Sequence, residues 1–243
     1  MKSMMFGTRT AKEILRDPIS LFFGIAFPVI ILLLLTLISQ NVPNDLFHVN
    51  HLTPGIAVFG LSFMSLFSAQ IIAKDRTSEF LTRLFTTPMK ANDFIVGYTL
   101  PLVPMAIVQT MVCFLVAMLL GMEFSLNTVL AIIAILPAAI LFISIGLLCG
   151  TIFSEKAVAG ICGALLTNLA AWLSGTWFSL ELVGGLFEKI AYALPFVHAV
   201  DMGRAIIAGD YLDIFPHIWW VIGYGIVFTL LAVYLFRKKM KSS

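Results

Sequence analysis

Six stretches of about twenty mostly apolar residues divide this chain, and they constrain its fold more than any other feature. An α-helix needs about twenty apolar residues to cross a hydrocarbon core of roughly 30 Å. The runs are continuously apolar and lack the alternation of transmembrane β-strands, so each is predicted to be a helix that satisfies its own backbone hydrogen bonds. The predicted spans are residues 19–39, 54–73, 97–120, 128–152, 157–178 and 216–236.

The composition agrees with a membrane protein. Hydrophobic residues make up 60% of the chain and charged residues only 12%, about half the charged share of a soluble domain. The three cysteines (Cys113, Cys149 and Cys162) lie inside apolar runs, where we interpret them as small hydrophobic residues rather than as a disulfide framework. The first apolar run is too long for a signal peptide and no cleavage site follows it, so we expect it to be retained as a span.

The basic residues indicate the orientation. Of the 15 Lys and Arg residues, 13 lie in the N-terminal segment, in residues 74–93, in the turn after the fourth span and in the C-terminal tail. The positive-inside rule therefore predicts a multi-pass protein of the cell membrane with both termini in the cytoplasm. All charged residues fall outside the six spans as drawn, which argues against a proton relay or a voltage sensor. Energy for any uphill transport is thus expected to come from outside the membrane.

Two further segments are predicted to lie along the membrane without crossing it. Residues 1–18 mix apolar side chains with the basic residues Arg9, Lys12 and Arg16 before Pro18, which is typical of an interfacial helix. Residues 179–215 are apolar but punctuated by Gly and Pro, which favours short re-entrant or interfacial helices. The predicted fold is one all-α membrane domain over 1–243, with six transmembrane helices, an N-terminal interfacial helix, and re-entrant or interfacial helices before the last span.

A charged stretch, AKDRTSEFLTRLFTTPMKANDFIVG, interrupts the apolar sequence after the second span. Glu79 precedes Arg83 by four residues, the spacing of a helical ion pair, and Pro88 is expected to end the helix. Four apolar residues recur at helical spacing on the same segment: Phe80, Leu81, Leu84 and Phe85. The helix could fold back onto the membrane face or dock a soluble partner, and composition leaves both possibilities open.

The run DRTSEFLTRLFTTP, followed by a polar turn and a new span, resembles the first cytoplasmic loop of ABC-2 type permeases, the membrane subunits of ATP-driven exporters. Its later part carries the matching residues Arg83, Leu84, Phe85, Thr87 and Pro88. The family's usual Gly-Thr and Glu are replaced by Glu79, Phe80 and Thr82. The later run ALPFVHAVDMGRAIIAG is similar to the family's segment before the last span, with Pro195, His198, Asp201 and Arg204 at the expected spacing.

The resemblance implies that residues 74–93 form a coupling loop seated in a groove of a separate ABC ATPase. The implied contact residues are Glu79, Arg83, Leu84, Phe85 and Pro88. ATP and Mg²⁺ would bind to that ATPase, and a second permease, either an identical copy or a sibling, would complete the complex. The chain has no G-x-x-x-x-G-K-[ST] motif and is not predicted to be an enzyme. We predict no cofactor in this chain, no metal site and no nucleic-acid partner.

Polar and aromatic residues inside the spans have two interpretations. They could hydrogen-bond between helices, or they could line a route for an amphipathic substrate; the candidate pathway residues are Phe63, Ser65, Phe67, Ser68 and Asn168. Asn168 is expected to be a buried amide. Asp201 and Arg204 are expected to form a structural ion pair that holds the outer segment.

The function favoured by the sequence is an ABC permease that exports a hydrophobic or amphipathic cargo such as a drug, lipid or peptide. One alternative is a secondary transporter or channel that works alone, although neither coupling ions nor a polar pore is indicated in the spans. A membrane enzyme should concentrate His, Asp, Glu or Cys at one depth, and no such cluster is visible in the sequence. A membrane assembly scaffold stays open.

Overall fold

The computed structural model describes residues 2–39, 48–78, 80–81 and 89–242. Within these ranges the chain forms helices and short connections and contains no β-strand. Six of the described helical segments are long and apolar enough to cross a membrane. The prediction of an all-α membrane protein with six transmembrane helices is confirmed.

The first half of the chain contains one amphipathic helix and three spans. Helix α1 covers Lys2–Leu15. The first span, Pro18–Ser39, consists of α2 (Pro18–Leu21), a π-helical segment (Phe22–Ala26) and α3 (Phe27–Ser39). The second span is the single helix α4 (Val49–Thr77), and the third span, Ala91–Leu119, consists of α5 (Ala91–Thr99) and α6 (Leu102–Leu119).

The second half adds three spans and three short helices. The fourth span is α7 (Leu126–Ile152), and the fifth, Glu155–Leu173, consists of α8 (Glu155–Val158), a π-helical segment (Ala159–Leu166) and α9 (Thr167–Leu173). Then follow α10 (Leu180–Val183), α11 (Gly185–Tyr192) and α12 (Pro195–Ala208). A 3-10 turn (Tyr211–Asp213) and α13 (Ile214–Ser242) contain the sixth span, Tyr211–Met240.

Local sequence signals explain several helix ends. The Asp17 carboxylate accepts a hydrogen bond from the amide of Ile19, and Pro18 occupies the first helical position, an arrangement that favours a helix start. The Ser125 hydroxyl caps α7 by accepting a bond from the amide of Thr128 at 3.3 Å. Helix α12 ends at Gly209, whose φ of +87° is a left-handed conformation that glycine adopts without strain.

The segment before the last span forms short helices, as predicted. Helices α11 and α12 are bent by 76° relative to each other across a short break. The predicted end of the fifth span at residue 178 is wrong, because the helix stops at Leu173 and Gly175 turns the chain with a φ of +67°. The second span also differs, since its helix continues past residue 73 to Thr77.

The second span forms the centre of the bundle. Its most apolar stretch is 89% buried, against 22% for the first span and 17% for the sixth. Gly146 and Gly150 of the fourth span allow this close packing: a methyl group at Gly146 would overlap the hydroxyl of Ser68, and one at Gly150 would lie 2.6 Å from the carbonyl oxygen of Ala69. This pair of glycines therefore packs within the bundle, as the commoner use of such motifs suggests.

The bundle has two ends, which are named here by the elements they carry. We call the end that carries α1, the C-terminal end of the second span and the start of the third span the basal end. The opposite end, which carries α11 and α12, is called the apical end. The C-terminal part of α13 lies at the basal end, where Arg237 donates a hydrogen bond to the side-chain oxygen of Asn92 at 2.9 Å.

Candidate coupling site at the basal end

The predicted ATPase-contact residues Glu79, Arg83, Leu84, Phe85 and Pro88 lie outside the described residues. The first two residues of the same apolar stripe are described. Leu81 is 1% exposed, and the ring of Phe80 lies beneath the guanidinium of Arg9, 4.6 Å from its centroid. The start of the stripe is thus packed into the basal end, against helix α1.

An ion-pair network lies directly beside this point. The guanidinium of Arg9 donates two hydrogen bonds to the carboxylate of Asp75, at 2.7 and 2.8 Å. The hydroxyl of Tyr98 donates a third to Asp75, at 2.8 Å. Glu13 pairs with Arg9 at 3.0 Å and with Lys74 at 2.6 Å. These five residues, which we call the basal network, join α1 to the second and third spans.

Aromatic packing fixes α1 in the position that the network needs. Phe6 meets the ring of Phe94 edge-on at 5.7 Å and the ring of Tyr98 at 4.8 Å. Gly97 makes room for it, because a methyl group there would overlap the Phe6 ring. Arg9 and Glu13 follow Phe6 along the helix, so the seated ring places their charges over Asp75 and Lys74. Predicted as an interfacial helix, α1 is therefore also bonded to the bundle.

Burial makes the central ion pair of this network different from a surface pair. Asp75 is only 1% exposed, and a carboxylate in that position needs a full set of hydrogen-bond donors. Burial lowers the pKa of the Arg9 guanidinium, but the hydrogen bond and the charge of Asp75 outweigh it, so that pKa is raised overall. Arg9 therefore stays charged, and the fixed bidentate geometry holds α1 in one register.

A second contact at the basal end caps the C-terminal end of the fourth span. Arg76 donates hydrogen bonds to the carbonyl oxygens of Gly150 and Thr151, both at 2.7 Å, and of Phe153 at 3.1 Å. The last carbonyls of a helix have no partners inside the helix and carry partial negative charge, so a cation satisfies both needs. Asp75 and Arg76 are neighbours at the end of the second span. Asp75 links this span to α1 and the third span, and Arg76 links it to the fourth span.

Asp75, Arg76 and Tyr98 are site residues that no sequence pattern predicts. Asp75 was placed in a charged loop, whereas it belongs to the buried helix of the second span. The available signal was the spacing of Arg9 and Glu13, which puts opposite charges on one face of α1. That spacing does not identify partners elsewhere in the chain.

At the apical end, Arg204 joins three parts of the chain. Its guanidinium donates hydrogen bonds to the carbonyl oxygens of His51 at 3.1 Å and Gly175 at 2.9 Å. It also contacts the carboxylate of Asp201 at 3.4 Å. Arg204 therefore connects α12 to the start of the second span and to the turn after the fifth span.

The other two residues of the apical motif lie at the start of α12. Pro195 occupies the first turn of the helix. His198 does not join the Arg204 contacts; its Nε2 atom lies 3.0 Å from the carbonyl oxygen of Tyr192 and its Nδ1 atom 2.8 Å from Nδ1 of His217. Because a carbonyl oxygen accepts only, Nε2 of His198 carries a proton, and in the neutral ring Nδ1 of His198 accepts from Nδ1 of His217. This histidine pair joins α12 to α13.

Charge reversal of Arg204 to glutamate is expected to reduce the amount of folded protein several-fold. It would leave two carbonyl oxygens without their donor and place two carboxylates together, at a cost of about 3 kcal/mol or more. The yield of monodisperse protein after detergent extraction measures this effect. Lys189→Glu, a reversal at an exposed residue of α11, is the control and should leave the yield unchanged. Full yield of Arg204→Glu combined with lost transport would assign Arg204 to a gate instead.

The described residues have the expected number and order of spans, and comparison with protein families decides the assignment. The family model described as ABC-2 family transporter protein matches residues 44–234. The chain belongs to the ABC-2 transporter family. Comparison with proteins of curated function gives no match. The ABC-2 chain is a multi-pass membrane protein and a permease subunit of an ABC transporter. Its family match begins after α1 and the first span, so the contribution of Arg9 and Glu13 to the basal network is a finding of the structure alone.

The predicted pathway residues of the ABC-2 chain do not come together within one copy. Four lie buried on the second span: Phe63, Ser65, Phe67 and Ser68. The hydroxyl of Ser65 donates to the carbonyl oxygen of Ser62 at 2.6 Å, and that of Ser68 to Ile143 at 3.1 Å. Asn168 is exposed on the fifth span and donates to the carbonyl oxygen of Ala164 at 2.8 Å. The expectation that Asn168 is buried is therefore wrong for the single chain, since only 33% of the most apolar stretch of the fifth span is buried.

At the basal end, the ABC-2 chain contains a cavity of about 950 Å³ between α1, the first two spans and the start of the fifth span, and we call it the basal cavity. Its wall combines two kinds of side chain. Charged groups include Lys12, Arg16 and Glu155, and apolar groups include Ile14, Phe67 and Ile71. The cavity is open to one side and can therefore contact both parts of a molecule that has a polar and an apolar portion.

Proposed function

We propose that this permease subunit belongs to an exporter driven by a separate ABC ATPase, which binds the segment between the second and third spans. The observation that carries the proposal is the basal network. It bonds Asp75, just before that segment, to Tyr98, just after it, and to Arg9 of α1. A displacement of this segment would therefore move the second span, the third span and α1 together.

The route of the displacement follows from the described contacts. ATP and Mg²⁺ would bind to the ATPase, and closure of two ATPase subunits would move residues 82–88. The segment is anchored on one side by buried Leu81. On the other side the amide of Lys90 donates to the carboxylate of Asp93 at 2.9 Å, which starts α5. Helix starts fixed in this way favour transmission as rigid-body motion.

The proposed orientation puts the basal end and both termini in the cytoplasm of a cell with this protein in its cytoplasmic membrane. The positive-inside rule supports it, since 13 of 15 basic residues belong to segments predicted on that side. The orientation also puts the coupling segment where a nucleotide-binding partner can reach it. Arg204 and the histidine pair would then face outward.

The proposed complex contains a second permease, either an identical copy or a sibling. The first, fifth and sixth spans expose most of their apolar surface in the single chain, which leaves room for a partner as well as for lipid. We propose a hydrophobic or amphipathic cargo, such as a drug, lipid or peptide. The mixed wall of the basal cavity supports an amphipathic molecule.

Co-expression with an ABC ATPase from the same genome, followed by purification in mild detergent, tests the proposal. We expect the two proteins to co-elute and the reconstituted complex to move cargo only with ATP and Mg²⁺. The chain reconstituted alone is the control and should move nothing against a gradient. Sustained uphill transport by the chain alone would contradict the proposal and favour a secondary transporter.

A further inference from the structure

Two cysteines of neighbouring spans meet near the basal end. Cys149 lies one turn before the end of α7, and Cys162 lies in the π-helical segment of the fifth span. Both pack into one small cluster with Ala69, Ala73 and Val158, and their thiols lie within interaction range of each other. The two sulfur atoms are therefore neighbours, although they lie thirteen positions apart in the sequence and on two different spans.

The surrounding packing restricts where the two sulfur atoms can go. The residue after Cys149 is Gly150, which presses the fourth span against the backbone of Ala69. The residue after Cys162 is Gly163, where a methyl group would lie 3.3 Å from the side chain of Leu66. Both cysteines therefore lie on helices that pack closely against the second span, and both belong to the cluster around Ala69 and Ala73. Cys162 is fully buried, whereas Cys149 is partly exposed and gives a reagent access to the pair.

The third cysteine provides an internal comparison. Cys113 is buried on the third span and accepts a hydrogen bond from the side-chain amide of Gln109 at 3.4 Å. It has no thiol neighbour among the free cysteines of the described chain. Cys113 is therefore an isolated thiol, whereas Cys149 and Cys162 form a pair.

Adjacent thiols bind soft, thiophilic atoms far better than single thiols, because the second sulfur attaches within the same molecule at a high effective concentration. We propose that Cys149 and Cys162 form a dithiol site for thiophilic ligands of the trivalent organoarsenical class. A bound ligand would bridge the fourth and fifth spans. The site is independent of the proposed transport function.

The reaction needs no oxidant. For an arsenoxide R–As=O, the sulfur of Cys149 bonds to arsenic and its proton moves to the oxygen, giving R–As(OH)–S. The sulfur of Cys162 then displaces the hydroxyl group, which leaves with the Cys162 proton as water. Two As–S bonds form, the As–O bonds break, and arsenic stays trivalent.

Phenylarsine oxide added to the purified full-length chain in detergent tests the site by intact mass. We expect one arsenic per chain with loss of one water, and a digest in which the adduct joins the peptides that carry Cys149 and Cys162. A dithiol such as 2,3-dimercaptopropanol should remove the adduct, whereas the same concentration of a monothiol should not.

Single serine substitutions give matched controls. Cys149→Ser and Cys162→Ser should each abolish the bridged adduct, and Cys113→Ser should retain it. Each variant is first checked for a monodisperse elution profile, and the peptide map of the wild-type chain decides the outcome if a variant fails to fold. No adduct on the wild-type chain, an adduct that retains the hydroxyl group, or an adduct on Cys113 would overturn the proposal.

Discussion

Replacing Leu84 and Phe85 together by aspartate is expected to abolish co-purification of the ATPase while the permease still inserts and folds. In the proposed complex both side chains are buried in an apolar groove of the ATPase. Burial of one such side chain contributes about 1.5–3 kcal/mol, so their joint loss should weaken binding by more than about 100-fold. Buried carboxylates without partners weaken it further. Pull-down of the ATPase through a tag on the permease measures the effect.

The control for this experiment is a matched pair at the apical end. Phe124 and Leu212 are 76% and 86% exposed, and their replacement by aspartate adds the same charges far from the proposed contact. This control variant should retain the ATPase at the wild-type ratio. An intact complex from Leu84→Asp/Phe85→Asp would remove the ATPase contact from this segment.

The two ends of the central ion pair are expected to respond unequally to substitution. Arg9→Gln removes the donor of two hydrogen bonds and leaves the carboxylate of Asp75 fully buried, which should lower the free energy of unfolding by about 3 kcal/mol. Asp75→Asn leaves the guanidinium, whose side chain is 38% exposed and still contacts Glu13. Water can then replace the lost partner, so the expected loss is only about 1 kcal/mol.

Thermal unfolding of the detergent-solubilised variants, followed by intrinsic fluorescence, measures this order of stability. The double variant Arg9→Gln/Asp75→Asn should be more stable than Arg9→Gln alone, because the unpaired buried charge is gone. The same variants in the complex with ATPase should hydrolyse ATP with reduced cargo transport. If Asp75→Asn proves the more damaging single change, the buried carboxylate does not depend on Arg9.

Sequence patterns were sufficient for the spans but not for the site. The length of each apolar run predicts a membrane helix because the bilayer requires one, and all six predicted spans are present. The second span was ended at residue 73 because charges follow. The helix continues to Thr77, and Arg9, 66 positions away, pairs there with Asp75. That partner depends on how α1 packs, which local sequence does not specify.

The direction of individual side chains was harder to predict than the presence of a helix. Asn168 follows a π-helical segment of eight residues, Ala159–Leu166. The i→i+5 hydrogen bonds of this segment rotate every later residue around the helix axis, relative to its position in a regular α-helix with 3.6 residues per turn. Arg204 was correctly paired with Asp201 from their spacing of three. Its bonds to His51 and Gly175 come from segments 153 and 29 positions away, beyond the reach of a local pattern.

The second span is one uninterrupted helix whose two ends are both held by arginine contacts. Asp75 and His51 are 24 residues apart along it, or about 36 Å at the α-helical rise. A tilt of about 5° with the Asp75 end as its pivot would displace the His51 end by about 3 Å over that length. A rigid helix of this length therefore converts a small tilt at one membrane surface into a shift of a full hydrogen-bond length at the other. The contacts of Arg204 at that surface would have to break or move with the helix.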